Sequence, residues 1–136
     1  AHVSMLDQTA PTAEDILALA EACIARLPQH MQTAAGAVRI IVEDYAEDEI
    51  LDEMKIRDAL ELSGLYSGVP LIHESVTHPS MQSPLVYLFR LPILFEWAAR
   101  GDVTLEELVS HVTIHEYGHH FGWSDEEMHR ILDSLD

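Results

Sequence analysis

Ile16, Ala20, Cys23, Ile24 and Leu27 recur at intervals of three and four, which is the period of one helix face. Thr12, followed three residues later by Asp15, predicts the capping box that opens this helix, and Pro28 stops it. After Gly36 the period changes, and the β-branched run AVRIIVE, 37–43, predicts a strand. In the EDYAEDEILDEMKIRDALEL that follows, Ile50 and Met54, with Leu51 and Arg57 beside them, predict one face of a second helix. Gly64, Gly68 and Pro70 punctuate SGLYSGVPL, 63–71, as turn chemistry. The residues up to Ser83 read as loop, with a short strand near Leu71 to Val76.

PLVYLFR, 84–90, is apolar and aromatic up to its last residue, so it predicts a strand buried on both faces. Pro92 suits the first turn of a helix running to Arg100, and Gly101 ends it. Thr104 and Glu107 form a second capping box, opening a helix from Leu105 to about Phe121. Leu105, Leu108 and Val112 fall on one stripe of that helix, and the stripe continues through His115 and His119. No repeat, low-complexity tract or linker divides the chain, so 12–136 is expected to be one domain. Residues 1–11 are expected to be disordered or added; Met5 reads as the natural start, and AHVS, with His2, is set aside.

Composition narrows the function classes. In 136 residues, 48% hydrophobic and 23% charged residues describe a globular chain. The net charge of −17 argues against nucleic acid and anionic membranes, which need a basic footprint, and would attract cationic peptides. No apolar run reaches the roughly 18 residues of a membrane span, and no secretory signal is visible, so a cytoplasmic location is expected. The single cysteine, Cys23, lies on the apolar face of the first helix and reads as a core residue.

The chemistry concentrates in HEYGHHFGWSD, 115–125. Residues four apart on a helix project about 40° from one another, so His115 and His119 share a face and can meet one zinc ion. Glu116 stands beside the metal without having to bind it, where its carboxylate can take a proton from the attacking water. Gly122 comes where the helix needs a left-handed residue to turn back, and the turn brings Asp125 round as a third ligand. In so histidine-rich a chain HExxH alone arises in roughly 6% of random shuffles, whereas HExxHxxGxxD arises in roughly 2 in 10,000. Ser124 with Glu127 also forms a capping box, so Asp125 has a second reading, favouring the positive end of a last helix.

Other candidates carry less. Gly118, in mid-helix, reads as a site of close helix packing. His120 points about 100° from His119 and reads as a hydrogen-bonded structural residue. His111 reads as an exposed bystander, His129 as a supporting or competing ligand, and His30 has no supporting context. HESVTH, 73–78, misses the helical spacing and abuts Pro79. The nine acids from Glu43 to Glu61 lack the spaced glycine of a calcium loop and read as a solvated face.

The motif resembles that of the zincin metallopeptidases, with the metzincin spacing and an aspartate in place of the third histidine. GLYSGVPL, VYLFRLPIL and HEYGHHFGWSDEEM together resemble a family of small bacterial minimal zincins over roughly residues 12–136. The resemblance implies a compact α+β domain with a small sheet against the motif helix. It implies a Zn2+ site of His115, His119 and Asp125, and Glu116 as general base. Only eleven residues follow Asp125, too few for the lower subdomain and methionine turn of larger metzincins, and Met128 is too near to be that turn. Two function classes follow: a zinc-dependent hydrolase of peptide or amide bonds, and a zinc-binding or protein-interaction domain without turnover. The missing cleft walls favour the second class, and the presence of Glu116 favours the first. An edge strand before the motif helix would pair with substrate, and the strand ending at Arg90 is the candidate, with Arg90 facing the cleft, although burial of that strand is the stronger reading.

Overall fold

A computed structural model describes residues 10–68 and 83–135 of the chain. The expected strand near Leu71 to Val76, HESVTH and the first nine residues lie outside the described residues. In order, the elements are α1 (Ala13–Ala25), α2 (Gln29–Ala35), β1 (Arg39–Glu43), α3 (Asp48–Glu53), a 3-10 turn (Ala59–Glu61), β2 (Gly64–Ser67), β3 (Leu85–Phe89), α4 (Arg90–Arg100), α5 (Leu105–Phe121) and α6 (Asp125–Ser134). This is a compact α+β fold.

The caps form where the sequence places them. Thr12 and Asp15 exchange both hydrogen bonds of a capping box at the start of α1, and Ser124 and Glu127 do the same at α6. At α5 the Thr104 hydroxyl accepts from the Glu107 N–H, without the reciprocal bond. The expected stripe of α1 is buried at Ile16, Ala20, Cys23 and Leu27, and half-buried at Ile24.

The sheet order is β1-β3-β2. β1 runs parallel to β3 with Ile41 opposite Tyr87, and β2 runs antiparallel to it with Tyr66 opposite Val86. Period-two alternation gives β3 two buried faces, as its apolar run predicts. Val86 and Leu88 pack with Ile16 and Ala20 of α1 and Val109 and Val112 of α5. Phe89 and Tyr87 pack on the other side with Leu51, Ala46 and Leu62. A third cluster, Cys23, Leu27, Ile114 and Met128, ties the end of α1 to α5 and α6.

Two expectations are corrected. SGLYSGVPL contains β2 at Gly64–Ser67, because pairing with β3 satisfies its backbone and overrides the local turn preference of the glycines. The acidic helix is short: Lys55 takes φ 59°, so the helical face ends at Glu53, and Met54 is left exposed. The strand that ends before Arg90 is central, in keeping with the stronger reading that it is buried, so among the described residues it offers no edge to a substrate. Arg90 is committed elsewhere, donating to the Pro11 carbonyl at 2.7 Å and pairing with Asp44 at 3.3 Å. Helix α2 is an element that the pattern did not signal, and no helix among the described residues is long and apolar enough to cross a membrane.

Candidate metal centre

The site is built by one helix, the turn after it and one strand. Along the last turns of α5, Glu116, Tyr117, Gly118 and His120 are buried while His115 and His119 are exposed. A Cβ on Gly118 would collide with the Sδ of Met128, so the missing side chain is what lets α6 lie against α5. Gly122 caps α5 at φ 74°, the left-handed conformation that glycine adopts without steric cost. Ser124 then caps α6, and Asp125 is its first residue.

Donor atoms of His115, Glu116 and His119 lie within 4.8 Å of one another. The two imidazole rings stand nearly perpendicular, at 87°, with centroids 5.0 Å apart. The Glu116 Oε1 is 4.0 Å from the Nε2 of His119. Asp125 is outside this trio. It lines a cavity of about 220 Å³ together with His115, His111, His129, Met128 and Leu132. It is also close enough for its charge to act on His119, whose pKa burial and the neighbouring His115 lower and Asp125 partly restores. The exposed His111 sits on the rim of the same cavity, where burial, His115 and His129 lower its pKa.

Glu116 is the distinctive group, at 8% exposure. Burial raises its pKa from 4.5 to about 7, and a hydrogen bond from the Tyr66 backbone opposes the rise. Strand β2 creates that burial. A Cβ on Gly64 would stand 2.9 Å from the Glu116 Cγ and 2.8 Å from Val112 Cγ1, so only glycine allows the strand this close. The Tyr66 hydroxyl also lies 2.8 Å from the Nδ1 of His120, which is 3% exposed, so His120 is the structural histidine its direction implied. Gly64 and Tyr66 are the site residues that the motif did not reveal. Their only signal was that GLYSGVPL is one of the segments on which the resemblance rests.

The residues fit a zinc ion. Two imidazoles and a carboxylate are its usual donors. A nearly buried carboxylate with an imidazole 4.0 Å away and no ion pair to Lys or Arg among the described residues has the charge that a dication complements. No curated protein matches the chain. A family model described as zincin-like metallopeptidase matches residues 35–134. The matched stretch takes in β1, β2, β3 and both helices that shape the site, and by it the chain belongs to the zincin-like metallopeptidase family.

Proposed function

We propose that the protein is a zinc-dependent hydrolase of peptide or amide bonds, with His115, His119 and Asp125 as metal ligands and Glu116 as general base. The observation that carries this reading is the buried Glu116 carboxylate beside the two imidazoles, with a pKa of about 7. A purely structural zinc site has no need of such a group, whereas a base titrating near neutrality both accepts and returns a proton efficiently. When bound, zinc would polarise the scissile carbonyl and acidify the attacking water. Glu116 takes the water proton on its carboxylate and delivers it to the departing amine nitrogen, ending in its starting state. The Tyr66 backbone holds the carboxylate in place, and the apolar packing of Val112 and Gly64 against it keeps bulk water away. The net charge of −17 favours cationic peptides as substrates.

A second reading, a zinc-binding or protein-interaction domain without turnover, is favoured by the cavity beside His115. Its volume of about 220 Å³ is below the roughly 300–1,000 Å³ of most small-molecule sites. Metal analysis of protein purified without added metal, with a peptide-library cleavage assay of wild type and Glu116→Gln, decides between them. Stoichiometric zinc in both, with cleavage by wild type falling by roughly 100-fold or more in the variant, is the expected result. Zinc without cleavage in either protein would establish the second reading, and absence of metal would overturn both.

A further inference from the structure

A cavity of about 440 Å³ lies away from the metal centre, where α1, α2 and β1 meet. That volume is within the range of small-molecule sites. Leu17, Ile24, Val38 and Ile40 supply the apolar part of its walls, and Glu21, Gln32 and Arg39 supply a polar part. Tyr117 of α5 also lines it, and Tyr117 is two residues from both His115 and His119, hence about 200° round the helix from either. The cavity therefore opens on the side of α5 opposite the metal ligands.

Three polar features of this cavity keep hydrogen-bonding or charge capacity unused among the described residues. Tyr117 is 2% exposed, yet its hydroxyl makes no hydrogen bond among the described residues. No fully enclosed side-chain oxygen or nitrogen among these residues lacks a partner, so this hydroxyl is not fully enclosed, and Tyr117 lines the cavity. A phenolic hydroxyl serves as both donor and acceptor. Glu21 and Arg39 bring opposite charges to the walls, and neither takes an ion pair or side-chain hydrogen bond among the described residues. Gln32 uses its amide nitrogen on the Ala25 and Leu27 carbonyls, at 2.9 and 2.6 Å, which leaves its side-chain oxygen as an acceptor.

An open cavity whose walls are part apolar and part polar, with one carboxylate, one guanidinium and an amide acceptor, is complementary to a small zwitterion with an apolar body. We propose that this cavity binds a free apolar α-amino acid, its ammonium toward Glu21 and its carboxylate toward Arg39. The site is distinct from the metal centre, and its existence does not depend on whether the protein hydrolyses peptides.

Calorimetric titration of the full chain with L-leucine and L-phenylalanine tests this, with N-acetylleucinamide as the uncharged comparison. Saturable binding of an amino acid is expected, with the uncharged analogue at least about tenfold weaker. Glu21→Gln and Arg39→Gln, both at exposed positions, should each weaken binding about tenfold, and Tyr117→Phe should weaken it several-fold while keeping the ring. Because amino acids chelate zinc, His119→Ala is titrated in parallel and should bind as wild type does. Absence of saturable binding overturns the proposal, as does unchanged affinity in both charge variants. Equal binding of the uncharged analogue, or loss of binding in His119→Ala, overturns it too.

Discussion

Two regions of this protein are dense in groups that bind cations, and only one of them forms a cluster. Between Glu43 and Glu61 nine carboxylates crowd nineteen positions, yet α3 and the turns around it leave these side chains in water. The last turns of α5 hold fewer groups, and three of their donor atoms come within 4.8 Å of one another. The acids spread because nothing packs over them. The donors of α5 converge because the i, i+4 spacing aligns two imidazoles and β2 presses on the carboxylate between them. Proximity with burial, rather than the number of ligands, separates the two regions.

The largest expected effect breaks the contrast directly. His119→Ala should lower zinc affinity by at least about 100-fold, beyond the 10–100-fold that loss of an outer partner brings. Asp48→Asn, Glu49→Gln and Asp52→Asn combined should leave zinc stoichiometry and affinity unchanged. Competition with a chelating dye measures both, and equal losses in the two proteins would abolish the distinction.

The next effect is on stability in the metal-free protein. Glu116 holds its proton in the folded state up to about pH 7, whereas the unfolded chain loses it near 4.5. Stability from this group is thus fully present below 4.5 and is lost as pH rises toward 7, after which the penalty of a buried anion is constant. Glu116→Gln does not titrate. It should match wild type below pH 4.5 and exceed it by about 3 kcal/mol above pH 7 in denaturant unfolding with chelator present. Parallel curves across that range would show that burial does not set the proton affinity of Glu116.

The smallest effect concerns the packing of α6, which begins at Asp125, on α5. Gly118→Ala forces Met128 aside and should cost about 1–3 kcal/mol in thermal unfolding, partly recovered by Met128→Ala in the same chain. Gly36, where an added Cβ meets only ordinary contacts at 3.5 Å, gives the control, since Gly36→Ala should change stability little.

Much of this fold is written locally. Helix α5 has a hydroxyl cap at Thr104, an apolar stripe and a glycine stop at Gly122, and its limits follow from those signals alone. Pro28 and Gly101 mark helix ends in the same local way, and the HExxH spacing fixes a shared face before any tertiary contact exists. What the sequence hides is decided at a distance. Strand β2 is strand because β3 lies beside it, and α2 is a seven-residue helix whose buried residue is Ala35 alone, too short for a periodic signal. The burial of Glu116 is hidden for the same reason, since the residues that cause it lie some fifty positions earlier.

Gly64 therefore has a consequence out of proportion to its size. A methyl group there would prise β2 off the motif helix, let water back to the carboxylate, and return Glu116 toward the acidity of an ordinary glutamate. The protonation set point of the site is fixed by the one atom that a neighbouring strand lacks.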